Sequence, residues 1–301
     1  MLILQFNFNR IDFFCLTFRN LLLNYYWNSQ MYFLKKIKKL FRRKKNIFFV
    51  NSFKNQKKFL KELKKQKIIG IDTEFDWRNT YFPILSLIQI STASEIFLVD
   101  SMHFKNDKFI KQIFEDTSIL KVFHSARSDS TVLSNCKKIH IKNIYDIQQA
   151  EKFITKGEIS SYASLVEKYL GIKIDKSETN SNWLKRPLSE KQLKYAAEDV
   201  DFLMDIYFEQ ISSLSSNDLS EILNKSEKEV FLGNQNLGIA RLNKRKKNLS
   251  KKGQEIFLWR EEIAQRENIP PNFIFNEKNI KFLQKLSGLK NNDLRKKIVK
   301  I

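Results

Sequence analysis

Apolar and polar positions follow two different periods along this chain, and the switch between them divides it. Short β-favouring runs bounded by polar turns stand at Ile47–Val50, Ile68–Phe75, Leu85–Ile90, Glu95–Val99, Leu120–Phe123 and Ile144–Tyr145. Elsewhere apolar residues recur at helical spacing, which predicts helices over Lys54–Lys67, Asp107–Glu115, from near Asp129 onward, and then over Tyr162–Leu170, Ser189–Gln210 and Asp218–Phe231. Mixed strands first and helices last predict a sheet with helices packed on it. Ser212–Ser216 and Gly233–Gly238 read as linker pieces. The expected organisation is an extension over 1–46, a sheet-bearing unit over 47–211, a helical linker over 212–237 and a small all-α unit over 238–301.

The extension itself has two parts. Residues 1–30 are apolar but broken by Gln5, Asn7, Asn9, Arg10 and Asp12, so no run approaches the ~20 residues of a spanning helix or the clean centre of a secretory signal. Met31 opens a second plausible start. After it, Phe33, Leu34, Ile37, Leu40 and Phe41 keep helical spacing among eight Lys/Arg between Lys35 and Lys45, a basic amphipathic helix. Such a helix suits RNA, a membrane surface, or a plain solvated face.

Composition narrows the class. At 301 residues, 42% apolar and 13% aromatic, the chain is a folded one with room for about two domains. Two cysteines and no CxxC exclude a disulfide scaffold and a cysteine-based zinc site, and fit the reducing cytoplasm. The net charge of +21 is uneven: +9 over residues 1–50, +11 over 241–301, and +1 over the 190 residues between. Basic flanks around a neutral middle point to a polyanionic partner, nucleic acid ahead of membrane.

The chemistry begins in the Ile68–Phe75 run. Residues two apart in a strand share a face, so Asp72 and Glu74 point the same way. Alone, the pair reads as a strand end with two solvated acids. A second acid, Asp129, follows His124-Ser125-Ala126-Arg127-Ser128, where a strand gives way through small residues to a helix. A third segment, Tyr195-Ala196-Ala197-Glu198-Asp199, puts Tyr195 and Asp199 on one helix face. Four carboxylates in one cleft repel unless cations lie between them, and hard oxygen ligands suit Mg²⁺ or Mn²⁺. The set therefore fits a two-metal phosphoryl-transfer site, with Tyr195 orienting water rather than acting as a base. His124 reads as structural, and His103 and His140 are assigned nothing.

On these residues the chain resembles ribonuclease D and the wider DEDD 3′–5′ exonucleases of the tyrosine branch. Asp72-Thr73-Glu74-Phe75 with Tyr81-Phe82-Pro83 and Leu87-Ile88-Gln89 matches the first motif, His124–Asp129 the second and Tyr195–Val200 the third. Asn182-Trp183-Leu184-Lys185-Arg186-Pro187 resembles the ribonuclease D form of the stretch before it. Phe257–Ala264, Ile269–Phe273 and a helix over Asn279–Leu286 resemble an HRDC domain that ends abruptly at Ile301, with Trp259 and Phe273 expected in its core. The resemblance implies an α/β fold, an RNase H-like mixed sheet flanked by helices, followed by the HRDC-like unit. It implies a metal-dependent 3′–5′ exoribonuclease trimming structured RNA such as tRNA precursors, with Trp183 and Arg186 near the scissile end. The motifs leave open a DNA exonuclease, since only the 2′-OH separates the substrates, and a non-catalytic RNA-binding relic. A chain ending near Gly238 is expected to keep cleavage of short oligonucleotides and to lose grip on large RNA.

Overall fold

In the computed structural model the described residues are 44–283, apart from 52, 104–106 and 176. The basic amphipathic segment lies outside them except for Lys44 and Lys45, as does the chain beyond 283. Lys45 is not a solvated charge. Its ammonium donates to the Asp201 carbonyl at 2.7 Å and lies 3.4 Å from the Asp201 carboxylate.

Six strands make one mixed sheet in the order β1-β4-β3-β2-β5-β6. β2 (Ile68–Asp76), β3 (Ile84–Ser91) and β4 (Glu95–Asp100) run antiparallel as a meander. β1 (Asn46–Val50) lies parallel to β4, while β5 (Leu120–Phe123) and β6 (Ile144–Asp146) continue the sheet parallel to β2. β2 is thus flanked on both sides, and its alternation feeds two cores. Ile69 and Ile71 face one, closed by α1 (Phe53–Leu63), α2 (Asp107–Glu115) and α3 (Arg127–Lys137). The other, under Leu87, Leu98 and Val122, is closed by α4 (Ile147–Thr155), α5 (Tyr162–Leu170), α6 (Glu190–Asp201) and α7 (Leu203–Ile211).

Three elements depart from expectation. α4 has no counterpart among the predicted helices, although Ile147, Ala150 and Ile154 keep helical spacing over its nine residues; its N-cap is Asp146, which accepts from the Gln148 amide. The helix expected over Ser189–Gln210 breaks at Phe202 into α6 and α7. The helix expected over Asp218–Phe231 within the linker forms as α8 (Ser216–Gly233), but it is packed into the fold, with Ile222 in one core and Val230 in the other. α8 packs closely on α3: a Cβ built on Gly233 would stand 2.5 Å from the Arg127 carbonyl, so only glycine fits.

The C-terminal region comprises α9 (Leu237–Arg245), a short 3₁₀ turn over Lys246–Asn248, α10 (Lys251–Glu267), α11 (Pro271–Ile274) and α12 (Lys278–Leu283). Leu242, Ile256, Phe257, Phe275 and Ile280 form its own small core, with Trp259 stacked on Phe275 at 6.3 Å. Phe273 is 67% exposed rather than core, since the single turn of α11 turns Ile274 inward instead. Among the described residues no helix is long and apolar enough to cross a membrane.

Candidate active site

The acids meet beside the end of β2. Asp72 and Glu74 share the face covered by α6, and one ligand oxygen from each of Asp72, Glu74 and Asp199 can be chosen with all three within 4.8 Å of one another. Thr73, between them in sequence, points to the opposite face by the same alternation. Its hydroxyl donates to Asp129 Oδ1 at 2.6 Å, so the fourth acid arrives from α3 on the far side of the strand.

Each partner element is held by named contacts. α6 starts at a capping box in which Ser189 accepts from the Gln192 amide and the Gln192 side chain accepts from the Ser189 amide. Such a cap contributes about 1 kcal/mol. At its other end the Ser91 hydroxyl donates to the Val200 carbonyl at 2.7 Å, and Gly70 lets α7 lie on the strand. A Cβ there would stand 2.5 Å from Ser91 Oγ and 3.1 Å from Leu203 Cβ. The Tyr162 hydroxyl donates to the Glu198 carbonyl at 3.0 Å and accepts from the Phe202 amide at 3.3 Å. An uninterrupted helix joins that carbonyl and that amide directly, so an inserted phenol accounts for the break after Asp201.

The turn before Asp129 depends on Asp146 at the end of β6. Its buried carboxylate accepts from the Ser125 amide at 3.0 Å and the Ala126 amide at 2.9 Å, and Ser125 sits in the left-handed region at φ 64°. His124 Nε2 lies 3.0 Å from the Ser160 carbonyl, which supports the structural reading. Asp146, Thr73 and Tyr162 were all missed. An aspartate between a strand and a helix is an N-cap signal that could have flagged the first; nothing local marks Tyr162.

Ile71, Asp72, His124, Tyr162, Tyr195, Asp199 and Leu203 line a cavity of about 190 Å³. Burial, then the charges of Asp129, Asp199 and Glu74, holds the Asp72 carboxyl well above the usual range. Burial with Asp199 and Asp129 raises Glu74 to about 9. Burial raises Asp129 to about 7 despite the Thr73 hydrogen bond. Without a cation Asp72 and Glu74 are held toward their protonated forms at neutral pH. Divalent ions would neutralise them, and the grouped oxygens are the ligands such ions take, so the residues fit a metal centre. Burial and Asp199 also push the Tyr195 phenol up, which keeps it a hydrogen-bond donor.

Two expected substrate contacts are corrected. Trp183 is 3% exposed, its ring 5.9 Å from that of Tyr195, and offers no free face. The Arg186 guanidinium is spent on Asp100 through bonds of 2.9 and 2.8 Å and on Ser86 and the Trp183 carbonyl, bracing this segment against β3 and β4. His103, assigned nothing from the sequence, pairs with the same carboxylate, its Nδ1 lying 2.8 Å from Asp100 Oδ2.

The chain matches the 3′-5′ exonuclease family model over residues 47–211 and the HRDC domain model over 254–286. It is 30% identical to ribonuclease D of Desulfotalea psychrophila over 241 residues, covering 76% of this chain and 64% of the relative. It is 27% identical to ribonuclease D of Pseudomonas paraeruginosa over 254 residues, covering 78% and 64%. The chain thus spans a little under two thirds of the length of these relatives. The crystal structure of Escherichia coli RNase D superposes with a TM-score of 0.74 at 25% identity, over 85% of this chain and 74% of that one. Family model, relatives and sheet agree with the acids at the end of β2: this chain belongs to the 3′-5′ exonuclease family, in its ribonuclease D group, and carries an HRDC domain.

Proposed function

We propose that the protein is a divalent-metal-dependent 3′–5′ exoribonuclease that trims the 3′ ends of structured RNA, tRNA precursors among them. The observation that carries this reading is the convergence of four carboxylates from three distant segments on one strand end, two of them, Asp72 and Asp199, lining a cavity whose described lining has no Lys or Arg. Asp72, Glu74, Asp129 and Asp199 would hold two Mg²⁺ or Mn²⁺. When bound, such ions supply charge stabilisation to the scissile phosphate and lower the pKa of water. Tyr195, fixed on the same helix face as Asp199, offers its O–H to orient the attacking water. Its hydroxyl lies 3.2 Å from Thr179 Oγ1, which limits its rotation.

A nucleic-acid substrate is supported by a second, larger cavity of about 660 Å³ beside α3. Its lining includes Trp77, Arg127, Ser128, Arg241 and Lys244, and no acid. Trp77 follows Glu74 by three residues and Ser128 precedes Asp129, so this cavity adjoins the acids in sequence on two sides, with Lys244 its exposed cation and Arg127 and Arg241 paired to Glu229 and Glu261. The reducing cytoplasm is the setting we infer from the two cysteines. Incubation of the purified chain with a 3′-labelled tRNA precursor in Mg²⁺ should release mononucleotides stepwise, and EDTA should stop it. Asp72→Asn and Asp199→Asn should each lower the rate by about 10³-fold or more while keeping the fold. Undiminished cleavage in both variants would remove the metal site from the account; faster cleavage of a matched DNA strand would replace RNA as the substrate.

A further inference from the structure

The connection from β2 to β3, residues 77–83, begins three residues after Glu74 and is covered by the C-terminal helices. Tyr81 at its centre is 1% exposed and packs with Leu237 of α9 and Ala264 of α10. The Arg241 guanidinium lies over the rings of Tyr81 and Trp77, at 4.7 and 5.5 Å. It is held there by Glu261, 2.8 Å away and buried. The Phe82 amide donates to Asn268 Oδ1 at 3.1 Å, and Asn268 is the left-handed residue that ends α10. The connection also ties itself, since Trp77 Nε1 donates to the Tyr81 carbonyl at 2.7 Å. Gly238 completes the fit: a Cβ there would stand 3.3 Å from the Tyr81 hydroxyl and 3.1 Å from Glu261 Cβ.

What this cover grips leads straight back to the acids. The β2–β3 register shifts between Glu74 and Phe75, so the strand bulges immediately after a catalytic-site carboxylate. A bulge sets the direction of the side chains beside it and is free to slide if the connection beyond it is loose. We propose that Arg241 and Asn268 are positioning residues for Glu74: the C-terminal helices clasp the β2–β3 connection and thereby fix the bulge that aims this carboxylate. The C-terminal region is then part of the catalytic unit rather than only a handle for RNA. Under this arrangement a chain ending near Gly238 uncovers Tyr81 and Trp77 and should cleave even short oligonucleotides more slowly than the full chain.

The test uses the full chain and two mild changes. Asn268→Gly deletes the bond to the Phe82 amide while keeping a residue at ease in the left-handed conformation. Arg241→Lys keeps a cation for Glu261 but loses the flat guanidinium over two rings. Mn²⁺ binding is followed by calorimetry, and kcat and KM are measured on a short single-stranded RNA. In the double variant Mn²⁺ affinity should fall about tenfold. Its kcat should fall by about as much, with KM within about twofold, as expected when a group is misplaced rather than removed. Should the double variant melt before assay, Asn268→Gly alone should show the same changes at smaller size. Unchanged Mn²⁺ affinity in a folded variant overturns the clasp, and so does a rise in KM alone. The kinetic readout rests on the exonuclease reading; the metal titration does not, so failure of one is distinguishable from failure of the other.

Discussion

At the scale of single residues the site is a set of acids under strain and one neutral phenol. Because Tyr195 stays protonated, its hydroxyl can orient water but not remove a proton, so Tyr195→Phe should lower kcat roughly 10–100-fold at nearly constant RNA affinity. A rise in KM with kcat intact would make it a substrate contact instead. The acids predict an unusual pH dependence. Glu74 titrates at about 9 in the folded metal-free chain against 4.5 ordinarily, and Asp129 at about 7 against 3.8. Between those values the folded state holds protons that the unfolded state has lost, so their contribution to stability falls as pH rises. In EDTA the melting temperature should therefore decline from about pH 4.5 to about pH 9, the window of Glu74. Divalent ions should restore it most at the alkaline end, and Glu74→Gln should flatten the decline. A melting temperature that climbs with pH through that window in EDTA would show that these acids are ionised when metal-free.

At the scale of elements the decisive feature is the interruption between α6 and α7. Asp199 lies one turn before it, and the Glu198 and Phe202 backbone groups that flank it are bridged by Tyr162. In Tyr162→Phe those two groups can bond each other, which would straighten the helix and swing Asp199 relative to Asp72. The expected result is a folded protein, less stable by about 1 kcal/mol, with clearly weaker divalent-ion binding by calorimetry. Wild-type metal affinity in that variant would show that the break is set by packing alone. The Arg186 brace illustrates the same scale from the other side. A residue whose surroundings in sequence resemble a functional motif is held 17% exposed in an ion pair with Asp100, and supports the segment that leads into α6.

For the whole molecule, charge is the property that the fold redistributes. Within the basic run after Gly238, Arg241 is engaged with Glu261 and Arg245 with Glu277, whereas Lys244, Lys246 and Lys247 are exposed. If these three neutralise phosphates, changing them to Gln should make the slope of log K against log salt shallower by about 2–3 on a structured RNA. Equal slopes would leave them as solubilising charges. The sequence by itself determined the strand positions, the sharing of a face by Asp72 and Glu74, and the pairing of Tyr195 with Asp199. Each follows from local periodicity, in which a two-residue or four-residue spacing dictates direction. It also located Asp129, because a strand running through small residues into a helix leaves a visible pattern. Only the tertiary structure decided that Thr73 brings Asp129 in from the opposite face, that Tyr162 breaks the helix, that Arg186 and Trp183 are structural, and that α8 belongs to the cores rather than to a linker. Most of those outcomes depend on partners tens of residues away, 36 for Tyr162 with Glu198 and 100 for Arg186 with Ser86. No periodicity within one segment encodes which distant group will fill a hydrogen bond or cover a ring; that is settled when the sheet's two faces are closed.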